Sequence, residues 1–317
     1  MGSDLLELVV RREPLPAAGK SGAQLERAWL DDGSTVVIKH ADAAADWIMQ
    51  ATGDAGRVAA MWADGTFGRL PASIEHAILD VQPAAGGATV VMRDVASHLA
   101  PGDRMPESLH HRVLSAARDS HAAFAGASLP QLCDLRRYYT FLSPSVCERF
   151  AVEHDVPRLA LQGWTRFHEV VASDVVEAIA AVHDDPGPLV DALLARDRTL
   201  VHGDLKLANL GNDDDRVIML DWGTLTCWAP ASVDYAWYLA INTAAIGRDP
   251  GEILDDVRRA QHAPDEVALR LALIGALAQL GWEKALGATA NDPETRQRER
   301  AALEWWTRKV REAFPQM

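Results

Sequence analysis

Cysteine is scarce in this chain. Cys133, Cys147 and Cys227 are an odd number with no paired spacing. That excludes a disulfide framework and a paired-cysteine zinc site, suits a reducing interior, and leaves the three thiols as packing residues. Cations are short as well: 31 Lys and Arg stand against 45 Asp and Glu, for a net charge of -14. A general nucleic-acid binder needs surplus positive charge to neutralise phosphates, so no nucleic-acid partner is expected. Long apolar runs are missing; the longest, Leu271 to Ala278, is far below the roughly 20 residues that span a bilayer. The start, Met1-Gly2-Ser3-Asp4-Leu5, lacks the basic and apolar segments of a secretory signal. Repeats and low-complexity tracts are missing too, which sets aside solenoids and disordered tails. The expectation is a cytoplasmic protein with no membrane partner, a monomer or a homodimer.

What is present suits a full core. The 317 residues are 48% hydrophobic and 24% charged, enough for two modest domains. Two strands are expected at residues 25–30 and 35–39, joined by Asp31-Asp32-Gly33, where Gly supplies positive φ. Residues 42–63 read as a helix in two pieces around Thr52-Gly53, with Thr52 capping the second piece. Residues 74–81 and 88–95 read as two more strands. Beyond Pro101-Gly102-Asp103 the pattern turns helical, over 107–126, 144–151, 157–183 and 186–196, and again over 233–246, 250–261, 264–280 and 294–313. The fold class is therefore α+β. Residues 1–95 form a small antiparallel-sheet lobe with one helix, and residues 96–317 form a larger, mainly helical lobe.

Between the two sets of helices lies Leu200-Val201-His202-Gly203-Asp204-Leu205-Lys206-Leu207-Ala208-Asn209-Leu210, followed by Val217-Ile218-Met219-Leu220-Asp221-Trp222-Gly223. Each is a short apolar strand that breaks into a polar turn. Asp204, Asn209 and Asp221 are groups that orient a hydroxyl's proton and hold a divalent metal on a phosphate. Two ordinary strands ending in Asp-Gly turns would be the plainer reading of either segment alone; the joint spacing outweighs it. Upstream, Gly19-Lys20-Ser21 invites a P-loop reading. That reading fails because Pro14 stands where the pattern needs Gly and no helix pattern follows. Gly19, Ser21 and Gly22 instead lead into the hairpin, so the loop is either a β-turn flap over a phosphate or a plain surface loop.

These motifs resemble those of the aminoglycoside phosphotransferase-like and choline kinase-like small-molecule kinases, relatives of the eukaryotic protein kinases, and the likeness of order runs through nearly the whole chain. It implies a bilobal protein-kinase-like fold, with ATP and Mg²⁺ as cofactors and a small-molecule hydroxyl as acceptor. Asp204 then accepts or orients the acceptor's proton, Lys206 reaches the moving phosphoryl group, and His202 braces the loop. Asn209 and Asp221 are the metal ligands, since hard oxygen ligands suit Mg²⁺. Lys39 alone would be a solvated strand-end lysine; its place after the hairpin makes it the lysine for the α- and β-phosphates. Its expected carboxylate partner is awkward, because no Glu stands between Glu26 and Glu75; Asp54 is the first candidate and Asp46 the second. Met92, Asp94 and Val95 fall at the strand-to-linker hinge, where backbone groups would meet the adenine edge. Asp234 matches a carboxylate that braces the catalytic loop, or it is a simple helix-start carboxylate.

Two departures narrow the acceptor. Gly203 stands where protein kinases commonly carry Arg, and Trp222 replaces Phe after the metal aspartate. With helix beginning so soon after Asp221, a peptide platform has no room. The resemblance leaves open an aminoglycoside, which would make this a resistance enzyme, a sugar or an amino alcohol. A nucleotide-binding module without turnover and a protein kinase are the alternatives. For an acceptor pocket, Trp164, Glu169, Trp282, Glu283, Glu304, Trp305 and Trp306 are candidates. The plainer reading, buried tryptophans and solvated carboxylates, outweighs that one.

Overall fold

The computed structural model describes residues 5–15, 21–100, 102–127, 129, 132–261 and 264–314. The N-terminal lobe carries β1 (Val9–Pro14), β2 (Gln24–Leu30), β3 (Thr35–Asp42), α1 (Trp47–Thr52), α2 (Arg57–Ala63), β4 (Ile74–Glu75), β5 (Ile78–Ala84) and β6 (Gly87–Arg93). Five of these strands form one antiparallel sheet in the order β1-β2-β3-β6-β5. Strand alternation explains how it works. Val36 and Ile38 point to one face, where they pack with Ala28 and Val91 under Leu5, Leu6 and Leu8. Lys39, one residue on, faces the other way, toward the second lobe.

The helical lobe holds α3 (Glu107–Ala123), α4 (Leu135–Thr140), α5 (Pro144–Phe150), α6 (Asp155–Val170), α7 (Ser173–Asp184) and α8 (Gly187–Leu194). Four short strands follow: β7 (Thr199–Val201), β8 (Leu210–Asp213), β9 (Arg216–Met219) and β10 (Cys227–Ala229). Then come α9 (Ser232–Ile246), α10 (Pro250–Ala260), α11 (Glu266–Ala288) and α12 (Pro293–Ala313). Helix α11 is apolar on nearly every face and buried without a break from Leu271 through Trp282. It packs on α4, α6, α7, α8, α9 and α12, the position that an all-round apolar helix demands.

Several expectations need correction. Residues 157–183 are two helices, broken where Val171 and Ala172 are extended. Both halves keep the apolar face that meets α11, so the periodicity carried no sign of the break. Thr52 does not cap α2; it lies inside α1 and its hydroxyl donates to the Ile48 carbonyl. Asp54 accepts from the Gly56 and Arg57 N–H groups instead. The helical stretch does divide at Thr52-Gly53, into α1 and α2, with Gly53 in the left-handed conformation between them. Strand β1 and helix α4 were not anticipated. Cys133, Cys147 and Cys227 are free and buried, with burial pushing the first two thiols up to about 12, as packing residues should be.

The lobes share their interior. Strand β4 pairs in parallel with β9 of the second lobe. Trp47 of α1 is 1% exposed and lies in the second lobe's core, its ring 5.9 Å from Phe150 and 6.2 Å from Phe141. Truncating it would remove a large buried ring at the lobe junction. Trp47→Ala should cost about 3–5 kcal/mol of unfolding free energy, read from urea denaturation.

Candidate active site

The sequence motifs meet at one place. Strand β7 ends at Val201, and the chain then runs irregularly from His202 to Lys206 and makes one 3-10 turn over Leu207–Asn209 before β8. Buried irregular backbone needs partners for its N–H and C=O groups. Helix α9 supplies them. Asp234 accepts from His202 N at 2.8 Å and Gly203 N at 2.7 Å. Asn242, two turns further along the same face, accepts from Leu207 N at 2.8 Å and donates to the Leu205 carbonyl at 2.7 Å. Tyr138 of α4 donates to the Gly203 carbonyl at 3.1 Å. His121 Nε2 of α3 lies 2.9 Å from Asp234 Oδ2. Asn242, Tyr138 and His121 were missed in the sequence; only Asn242 had a signal, its eight-residue spacing from Asp234.

Within this frame the polar side chains converge. Lys206 Nζ donates to Asp204 Oδ2 at 2.5 Å. Asn209 Nδ2 donates to the Asp204 carbonyl at 3.0 Å and to its Oδ2 at 3.1 Å. Asp221 has φ 68°, and this left-handed turn carries its carboxylate off the end of β9. There it accepts from Lys39 Nζ, across the lobe junction. Trp222 seats the turn: its Nε1 donates to the Met219 carbonyl, and its ring lies 4.4 Å from that of His202. Arg57 of α2 donates to the Gly223 and Thr224 carbonyls from the other side.

The charges hold one another. Burial pushes the Asp221 carboxyl up, but the Lys39 and Lys206 ammoniums outweigh it and keep it well below the usual carboxylate range. Burial opposes the Lys39 charge, yet Asp221, with a contribution from Asp46, raises it above its ordinary value. Lys206 is likewise raised, by Asp204 and Asp221 against burial. Burial lowers the His202 imidazole, and neighbouring carboxylates offset this only in part. His202 is thus a neutral brace, its Nε2 3.0 Å from the Leu220 carbonyl.

Not every candidate joins the cluster. Asp54 serves α2 and lies 3.5 Å from Arg57, with no bond to Lys39. Asp46 caps α1 and is the carboxylate whose charge reaches Lys39. Ser21 hydrogen-bonds Asp46 at 2.5 Å, and Gly22 packs on the Ala45 carbonyl. Gly19 lies outside the described residues. Met92 is half-buried on β6, Val95 is buried against Ala77 and Ile218, and Asp94 is held by Arg27 at 2.8 Å. Of the acceptor candidates, Trp164, Trp282, Trp305 and Trp306 are all core residues. Glu169 pairs with Arg166, and Glu304 lines a groove of about 930 Å³ between α12 and the α6–α7 turn, away from the motifs.

Asn209 and Asp221 offer a donor set that fits a hard divalent cation. The Asn209 side-chain nitrogen is committed to Asp204, which leaves its Oδ1 as the atom that could face a cation. A neutral and a charged oxygen from two loops suit Mg²⁺, which keeps water and phosphate in its other positions.

No protein-family model matches the chain, and no curated protein matches it. Solved structures do. An aminoglycoside phosphotransferase from Alicyclobacillus acidocaldarius aligns with 98% of this chain and 92% of its own, at TM-score 0.53 and 14% identity. The choline kinase LicA from Streptococcus pneumoniae aligns with 97% of this chain and 95% of its own, at TM-score 0.55 and 11% identity. The spectinomycin phosphotransferase APH(9)-Ia, in complex with ADP and spectinomycin, covers 98% of this chain and 94% of its own, at TM-score 0.53 and 10% identity. At these identities the likeness is one of fold. The chain has the bilobal α+β fold of the aminoglycoside phosphotransferases and choline kinase.

Asp234→Ala leaves the His202 and Gly203 N–H groups without their acceptor. It should cost about 1–3 kcal/mol for each orphaned donor, measured by chemical denaturation. Burial lowers His183, which meets Trp164 edge-on, despite the opposing pull of its bond to the Ala278 carbonyl and of Asp184. A group depressed on folding stabilises fully above its unfolded value, 6.5 for His, and that stability is lost as pH falls through the folded value. The melting temperature should therefore fall between pH 7 and 5, and less steeply in His183→Gln.

Proposed function

We propose that the protein is an ATP- and Mg²⁺-dependent phosphotransferase acting on a hydroxyl of a small molecule. The observation that carries this reading is the convergence of Asp204, Asn209 and Asp221 with Lys39 and Lys206 at one lobe junction. The kinase fold of the neighbours supports it.

Each residue then has a task. Asp204 is fixed by Lys206 and Asn209 and orients the acceptor hydroxyl, taking its proton as the oxygen attacks in line. Lys39 meets the α- and β-phosphates, and Lys206 reaches the oxygens that gain charge during transfer. His202 keeps the loop in place and, being neutral, adds no competing charge. A magnesium ion held by Asn209 and Asp221 would supply charge neutralisation on the phosphates. The sheet lobe, residues 1–95, holds the nucleotide, with the flap at Ser21 and Gly22 and the hinge at Met92 to Val95. Residues 96–317 take the acceptor.

A small acceptor is favoured over a protein. Asp221 is followed almost at once by β10 and α9, and β10 is paired with β7. Nothing in that segment is left to carry a peptide. Aminoglycosides, sugars and amino alcohols are the classes to test, and the spectinomycin complex of one structural neighbour puts antibiotics among the first.

ATP consumption should be measured against a panel of those classes, with generic protein substrates beside them. Turnover with a small hydroxyl compound is expected. Consumption with proteins alone would sink the proposal, and nucleotide binding without any consumption would favour a binding module. Asp204→Ala should lower turnover by about 10²–10⁴-fold while leaving ATP-induced thermal stabilisation intact. Turnover near the wild-type level would remove Asp204 from its role.

A further inference from the structure

Among the described residues the Lys206 ammonium makes one hydrogen bond, to Asp204. Under the phosphotransfer reading Asp204 is the group that turns to the acceptor hydroxyl, so that bond is given up during transfer. The lysine stem is four carbons long and flexible. What then aims the ammonium is the direction in which the stem leaves the chain, and the peptides on either side of Lys206 set that direction.

Asn242 of α9 holds both peptides. It is 1% exposed. Its Oδ1 accepts from Leu207 N at 2.8 Å, and its Nδ2 donates to the Leu205 carbonyl at 2.7 Å. A side-chain amide thus stands in for the backbone of a neighbouring strand, gripping the chain on each side of one residue. The second Nδ2 hydrogen goes to the Tyr238 carbonyl at 3.0 Å, so every polar atom of the amide is used and it has one orientation. Between the two grips Lys206 is extended, at φ -88° and ψ 153°. Leu205 and Leu207 therefore pack into the core, while Asp204 and Lys206 project together on the other side. Asp234 acts at the front of the loop, on His202 N and Gly203 N. Asn209 has ties of its own, to Asp204 and through its carbonyl to Leu220 N at 2.9 Å. The Asn242 clamp bears on the lysine.

We propose that Asn242 is the positioning residue of Lys206, fixing the two flanking peptides so that the ammonium meets the moving phosphoryl group once Asp204 has released it. The inference rests on the phosphotransfer reading and adds to it a residue that acts through the lysine. It also divides the work of α9: the carboxylate of Asp234 shapes the loop, and the amide of Asn242 aims a charge.

The test compares variants well below their melting temperatures, with active protein counted by the stoichiometry of ATP binding. Asn242→Ala removes both grips. With the hydroxyl compound that the wild type turns over, it should lower kcat about 10²-fold and change KM for ATP less than about twofold. Asn242→Asp keeps an acceptor for Leu207 N and loses the donor to the Leu205 carbonyl, so its kcat should fall between. In a Lys206→Met background Asn242→Ala should lower kcat less than about twofold, since the two act through one interaction. A second readout needs no acceptor. The chain has five lysines, so in protein carrying ¹³C at the lysine ε-carbon the Lys206 signal is identified by its loss in Lys206→Met. Asn242→Ala should shift that signal and leave the Lys309 signal in place. An unchanged kcat in both Asn242 variants, or an unmoved Lys206 signal, would overturn the inference alone. So would an equal loss of kcat in the Lys206→Met background, which would place the effect on the loop as a whole. A wild-type chain that consumes no ATP with any compound of the panel would overturn the phosphotransfer reading and the inference with it.

Discussion

The Asp234 carboxylate, bonded to the backbone N–H groups of His202 and Gly203, is the interaction on which the site depends. His202, Asp204 and Asn209 are all buried, yet they sit on irregular backbone. Such a loop cannot satisfy its own polar groups and takes its shape from whatever does. Here the template is one face of α9, with Asp234, Tyr238 and Asn242 at four-residue intervals. Tyr238 is itself fixed, its hydroxyl 2.8 Å from His110 Nδ1. Helix α9 packs on α11, the buried axis of the lobe. Positional accuracy thus passes from apolar packing to a helix, from the helix to backbone amides, and from those to the Asp204 carboxylate.

A similar logic governs the junction between lobes. Lys39 and Asp221 come from different lobes, and a single partly exposed ion pair would not fix their distance. Apolar and backbone contacts do. Trp47 inserts into the second lobe's core, β4 joins the sheet of β8 and β9, and Arg57 grips the turn after Asp221. Arg93 at the end of β6 pairs with Asp213 at 2.7 Å, close to Glu75 and Arg216. The ion pair at the centre is aligned by this frame rather than holding it together.

How much of this could be read from the sequence follows from which features are local. The hairpin around Gly33, most helices and the two motif strands are encoded within short windows and lie near the expected bounds, whereas 157–183 divides in two and α11 runs on to Ala288. The motif spacing pointed to Asp204, Asn209 and Asp221 as one group. Strand β1 escaped because Val-Val-Arg-Arg-Glu-Pro is exposed at five of its six positions and lacks the alternation of a half-buried strand. Helix α4 is six residues long, too short for a period to show. The bond that Lys39 makes to Asp221 spans 182 residues, so no short window of sequence points to it. The tryptophans offered as an acceptor pocket are buried, as large apolar rings usually are.

Gly203 carries more meaning than the absence of an arginine. Its φ is 81°, and a Cβ would meet the Leu225 carbonyl oxygen at 2.2 Å. The segment after Asp221 therefore lies directly against the loop that bears Asp204. Thr226 ties the two together, accepting from Gly223 N at 2.9 Å and donating to the His202 carbonyl at 3.3 Å. Any side chain at position 203 would have to push that segment away, and the turn bearing Asp221 would move with it. The same contact makes an added charge unnecessary. In a kinase switched by phosphorylation, the segment after the metal aspartate waits for a phosphate to pair with an arginine. Here close backbone packing orders it as the chain folds.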